Sequence, residues 1–241
     1  QQYTFCHVCK WYKMLNGVKH LVPFAHVAKR ILLTAQSDEG LIAVLLDPKT
    51  AGVTLNRQRV TANEPQFEVL LDNVLVSEVV AQQDDAQALA KWVYESTAAA
   101  YCAMAVGLCD KMMRMTASYT SERHQFGVPI ATFQAVGHRA ADCFIDIECL
   151  RLASQQAISL LDRNLNASEA VKIAKIWAGD VTHRVSQASQ HLHGGIGVDR
   201  DYPLFRYCLW ARQIELSHGS SASLLGSLGE DIAIEFGTVL G

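Results

Sequence analysis

AQALAKWVYESTAAAYCAMAVGLCDKMMRMTASY, Ala86 to Tyr119, runs without a proline and with a single glycine, Gly107. As a helix it would be roughly 50 Å long. Its middle, Ala98-Ala99-Ala100-Tyr101-Cys102-Ala103-Met104-Ala105-Val106, has almost no polar face. A helix that apolar must be covered on most sides, within its own bundle and in an oligomer. The pattern stops at Ser121–Pro129. A second helical stretch runs from Thr132 to about Asp162 and is halted by Asn164-Leu165-Asn166. A third opens at Ser168-Glu169 and ends at Gly194-Gly195, and a fourth follows Pro203 and breaks near Gly219. Four helices with short connections predict an up-and-down bundle over residues 84–241.

Upstream the grammar changes. Ile31-Leu32-Leu33-Thr34, Leu41 to Leu46, Gly52-Val53-Thr54-Leu55 and Phe67-Glu68-Val69-Leu70-Leu71 are short runs, punctuated by Asn16-Gly17 and Asp47-Pro48. No helical face persists, so residues 1–83 read as an antiparallel β domain and the chain as α+β.

With 241 residues, half of them hydrophobic, a large core can be buried, and a net charge of −3 without a basic block argues against nucleic acid or anionic lipid as partner. There is neither a secretory signal pattern nor a run long enough to span a membrane, so a cytoplasmic protein is expected. Seven cysteines, an odd number, fit reduced thiols better than a disulfide framework. Cys6-His7-Val8-Cys9 is formally a CxxC, but zinc would want a second pair at similar spacing, so no metal site is assigned.

Three segments, in order, resemble acyl-CoA dehydrogenases: Leu15-Asn16-Gly17-Val18-Lys19, similar to a hairpin of that family's β domain; Arg123-His124-Gln125-Phe126-Gly127 with Phe133-Gln134; and His193-Gly194-Gly195-Ile196-Gly197 with Tyr202-Pro203. The resemblance covers essentially the whole chain. It implies a fold of N-terminal helical domain, central antiparallel β domain and C-terminal four-helix bundle, usually tetrameric. The first of these lies outside this sequence, which starts within the β domain. It also implies FAD, with the adenosine diphosphate half bound by the bundle across a subunit interface. Arg123 would face the pyrophosphate, where a planar guanidinium suits phosphate oxygens. Gln125, Phe126, Phe133 and Gln134 would line the same half-site, and Gly194 and Gly195 would let backbone approach the cofactor. The family's glutamine three residues before Gly-Gly is replaced by His191.

The implied reaction removes a proton α to a thioester carbonyl and passes a hydride from the β carbon to flavin, which calls for a carboxylate base. The common base position holds His218, in Ser217-His218-Gly219-Ser220, and the alternative one, in the first bundle helix, holds Thr97. Glu95 is two residues from Thr97, about 200° round the helix, and points elsewhere. Glu215, three residues before His218, could share its face. The run that usually carries a hydroxyl near the flavin ring is Leu21-Val22-Pro23, and proline offers neither hydroxyl nor N–H. Leu209-Trp210 replaces the usual Arg-Asp. Catalytic residues are therefore expected to be lacking from this chain.

The expected function is that of the base-lacking subunit of an FAD-dependent acyl-CoA dehydrogenase. It would lend FAD-binding residues to a homologous partner, as an α2β2 assembly similar to those of steroid-degrading actinobacteria. A CoA thioester of a steroid side chain would be the substrate, bound mainly by the partner; a short fatty acyl thioester is the plainer alternative. Two rivals stay open: a homo-oligomeric dehydrogenase with His218 as base, near neutral pH, and a scaffold without flavin. A di-metal site built on Glu215 and His218 would need a second such motif and further carboxylates; Asp180 and His183 are the nearest match.

Overall fold

A computed structural model describes residues 7–9, 14–76 and 78–240. The Cys6–Cys9 motif lies outside the described side chains. Two compact units, Gln1–Tyr94 and Glu95–Gly241, divide the chain.

The first unit holds strands β1 (His7–Cys9), β2 (Met14–Pro23), β3 (Ile31–Ser37), β4 (Gly40–Leu46), β5 (Val53–Gln58), β6 (Gln66–Leu75) and β7 (Val79–Gln82). They form one sheet in the order β5-β6-β2-β1-β3-β4-β7. The sheet is antiparallel as expected, with one short parallel pairing, β1 with β3. Leu33 and Ala35 of β3, and Phe67, Val69 and Leu71 of β6, are buried at every second position, as a half-buried strand requires.

Asn16-Gly17 makes no hairpin. Both residues lie inside β2, and the register slips between Leu15 and Gly17 because β6 carries an extra residue opposite. Asn73 takes up that residue at φ 50°, and its N–H donates to Asn16 Oδ1 at 2.8 Å. The dipeptide that reads locally as a turn thus faces a β-bulge. Nearby, Gly52 sits at φ 88°, where an added Cβ would lie 2.2 Å from the Asp72 carbonyl oxygen. Gly52→Ala would combine a left-handed backbone with a backbone clash. We expect a loss of about 2–4 kcal/mol, measured as a fall in the urea midpoint.

The second unit is helical. Helix α1 spans Gln83–Glu122, α2 Gln134–Asp162, α3 Ser168–His193, α4 Leu204–Leu216 and α5 Ser221–Leu240. The fourth predicted helix therefore splits at the left-handed pair His218 (φ 57°) and Gly219 (φ 99°). Helix α3 packs against α2, α4 and α5. Ala98, Cys102, Ala105, Cys109 and Met112 of α1 join the same core as Ile147, Leu150, Val181, Val185, Leu204 and Ile214. Ala100, Ala103 and Met104, on the other side of α1, are exposed in the single chain. Among the described residues no helix is long and apolar enough to cross a membrane.

Candidate functional site

Two places in the helical unit carry the residues singled out above. The first gathers the ends of α1, α2 and α3. Past Glu122 the backbone of Arg123 is held from both sides: its N–H donates to the Tyr119 carbonyl and its carbonyl accepts from Ile130 N, each at 2.8 Å. His124–Gln125 and Val128–Pro129 pair as a miniature hairpin. Its two turn residues, Phe126 and Gly127, have φ of 54° and 83°. Both at positive φ is the geometry of a type I′ turn, which favours Asn-Gly. A phenylalanine there is strained, and backbone strain concentrates where ligands are held. The Phe126 ring is also 93% exposed, meeting Phe133 edge-on at 6.3 Å between centroids. Gln134 opens α2 beside Phe133, whereas Gln125 turns its amide back onto the His124 carbonyl.

Helix α3 ends at Gly194, which has φ 64° and donates its N–H to the His191 carbonyl. A Cβ at Gly194 or Gly195 would meet nothing within 4 Å, so open space lies over both. At Gly197 it would come within 2.7 Å of the Gln190 carbonyl oxygen, so this glycine folds the loop back onto its helix. His193 anchors the loop. Its ring stacks on Tyr119 at 4.5 Å, Nδ1 faces the Ser189 carbonyl at 2.8 Å, and Nε2 faces the Tyr202 hydroxyl at 3.2 Å. The last turn of α1, which leads into Arg123, is thereby packed on the residue that precedes Gly194. The anchoring by His193 and the link from Arg139 to His191, Nη1 to Nδ1 at 3.1 Å, were missed by the sequence reading. Nothing local distinguishes such contacts from ordinary polar helix positions.

The second place is where α4 turns into α5. Thr97 Oγ1 and His218 Nε2 lie 2.9 Å apart. The two positions read as alternative sites for a base are thus hydrogen-bonded to each other. The Tyr101 ring lies 4.9 Å from that of His218. Beneath them Lys175 is 1% exposed and donates from Nζ to the carbonyls of Gly219, at 3.2 Å, and Glu215, at 3.4 Å. Two carboxylates stand close to this pair in sequence, Glu95 and Glu215. Glu95 accepts from Ser168 Oγ at 2.6 Å. Glu215 turns to Arg212 and His183, correcting the shared face expected for it and His218. Among the described residues no group of three or more His, Cys, Asp or Glu could hold a metal.

Burial, and then the Lys175 charge, lower the pKa of His218 below 6.5; burial does the same for His193. Burial likewise pulls Lys175 down and pushes the Cys102 thiol up to about 12, so that thiol is inert. Below pH 6.5 the unfolded chain takes up protons that the folded histidines resist, so stability is full above that value and falls as pH drops through it. Urea midpoints should be lower at about pH 5.5 than at about pH 7.5, and His218→Gln should narrow the gap.

Leu21-Val22-Pro23 belongs to the sheet unit. Leu21 is left-handed at φ 56°, and Pro23 is the last residue of β2, opposite Gln66.

Comparison with known proteins places this geometry. The chain is similar to acyl-CoA dehydrogenase FadE27 of Mycobacterium tuberculosis, with 32% identity over 91% of this chain and 60% of that protein. Its fold matches the crystal structure of the ChsE4-ChsE5 complex from Mycobacterium tuberculosis with a TM-score of 0.89 and 31% identity, over 97% of this chain and 63% of that one. It also matches the Tcur3481-Tcur3483 steroid ACAD G363A variant, with a TM-score of 0.88 and 34% identity over 96% and 63%. The chain spans about 60% of the length of FadE27 and 61% of that of FadE28, a further relative. Residues 87–233 match the model of the acyl-CoA dehydrogenase C-terminal domain. With the sheet, the bundle and the Gly194-Gly195 loop in that order, the chain belongs to the acyl-CoA dehydrogenase family.

Proposed function

We propose that the chain is a subunit of a flavin-dependent acyl-CoA dehydrogenase that lends an FAD half-site to a homologous partner and abstracts no proton itself. The observation that carries this reading is the hydrogen bond between Thr97 and His218. Both positions for a catalytic glutamate are filled by neutral side chains that satisfy each other. Abstraction of a proton α to a thioester needs a carboxylate tuned near neutrality, and Glu95 and Glu215 are engaged elsewhere.

The residues at the other end of the bundle fit the adenosine diphosphate half of FAD. Phe126 and Phe133 offer an exposed apolar rest, and the open space over Gly194 and Gly195 admits a ligand against backbone. Arg123 would face the pyrophosphate, and Gln134 and His191 would line the site. A flavin held there would supply the acceptor for the hydride from the β carbon. The partner would supply the glutamate, the flavin-ring pocket and the acyl tunnel. Similarity to the ChsE4-ChsE5 complex and to a steroid acyl-CoA dehydrogenase supports two unlike subunits in an α2β2 assembly, and a steroid side-chain CoA thioester as substrate.

The test is flavin stoichiometry after gel filtration, with the chain expressed alone and with its homologous partner. A colourless lone chain and a complex holding one FAD per two chains are expected. One FAD per chain in the lone protein, reduced by an acyl-CoA, would overturn the reading and make His218 the base.

A further inference from the structure

We infer that Arg139 is a positioning residue of the half-site, setting which nitrogen of His191 carries the proton and so aiming a donor at the dinucleotide. This rests on the half-site reading above. A guanidinium has donors only, and it stays charged. Its Nη1 lies 3.1 Å from His191 Nδ1, so Nδ1 must be the bare, accepting nitrogen. A neutral imidazole with Nδ1 bare carries its proton on Nε2. His191 therefore presents an N–H from its far edge, at the end of the helix whose cap is Gly194 and whose Gly194 N–H the His191 carbonyl accepts.

The geometry explains how a histidine can stand where the family usually has glutamine. A glutamine amide always includes a donor; a lone imidazole offers a donor or an acceptor at Nε2 according to its tautomer. Arg114, Arg151 and Arg184 meet carboxylates, and Arg212 joins Glu215 as well as the His183 imidazole, whereas the guanidinium of Arg139 gives a donor to the His191 imidazole of the neighbouring helix. Arg139 lies in the second turn of α2, five residues after Gln134, and so ties the start of that helix to the glycine loop. The partner group on the dinucleotide is an acceptor of its adenosine diphosphate half: a phosphate or ribose oxygen, or a ring nitrogen of adenine.

The test is a double-mutant cycle in the flavin-bearing assembly, purified from cells expressing the chain with its homologous partner. FAD is removed and its Kd is measured by fluorescence on rebinding. Arg139→Leu should weaken FAD about tenfold, the loss of one hydrogen bond, and Arg139→Lys, still a donor to Nδ1, should restore most of it. In a His191→Gln background, where the donor needs no tautomer set, Arg139→Leu should cost less than about twofold. Equal losses in both backgrounds would mean that Arg139 meets the cofactor directly or only braces the helices, and would overturn the inference. No loss in either background would also overturn it. Arg123→Ala is the separate control. If it leaves FAD binding intact the half-site reading itself fails, whereas a loss with Arg123→Ala and none with Arg139→Leu removes only the present inference. Thermal melts of each flavin-free variant confirm folding.

Discussion

Arg123→Ala should weaken FAD binding by the assembled protein roughly a hundredfold, the worth of a paired, charge-assisted contact to phosphate of about 3 kcal/mol. The backbone at this position is held independently of the side chain, by the Tyr119 carbonyl and by Ile130 N. Among the described residues the guanidinium makes no ion pair, so its removal should cost the fold less than about 0.5 kcal/mol. The variant thus separates cofactor binding from stability: an unchanged melting temperature without FAD and a Kd higher by two orders of magnitude. Arg123→Lys should fall between the two, because an ammonium keeps the charge but cannot form the planar fork. A Kd within threefold of the parent, in a folded alanine variant, would contradict a phosphate role for Arg123.

Lys175→Met is expected to have the largest effect on the bundle. The lysine is buried to 1% exposure, and its ammonium joins two carbonyls that frame the turn between α4 and α5. Methionine matches its length and apolar stem, so packing survives while both carbonyls lose a buried donor. The net loss should be about 2–4 kcal/mol, less than the sum of two orphaned carbonyls because the cost of burying an ammonium disappears with it. For a chain of this size that is a fall in melting temperature of roughly 5–15 °C. The left-handed turn at His218 and Gly219 should loosen, and backbone amides of residues 215–221 should exchange faster in deuterium than those of α2. A variant as stable as the parent would show that the carbonyls find other partners and that the buried charge contributes nothing net.

The helices show how far local pattern reaches. A stretch free of proline and rich in alanine places α1, and the stops at Asn164-Leu165-Asn166, Gly194-Gly195 and Gly219 are local in kind: residues that leave helical backbone readily or tolerate positive φ. The same reasoning failed at Asn16-Gly17. Whether that dipeptide turns a hairpin or sits in a strand depends on Asn73, across the sheet, and no window of neighbours contains it. Strand β1 is a similar case: it pairs in parallel with β3, whose partner residues Gln36 and Ser37 lie far beyond any local window around His7 and Val8.

For the candidate site the division has a physical cause. The bundle, the family likeness, and the absence of a carboxylate at positions 97 and 218 were legible from residue identity and period, which are properties of the chain alone. The folded chain alone reveals the hydrogen bond between Thr97 and His218, the burial of Lys175 beneath their turn, and the contact of Arg139 with His191. Those contacts join residues far apart along the chain. Side-chain hydrogen bonds of that span form only after core packing has brought the helices together, so they leave no periodic trace in the sequence.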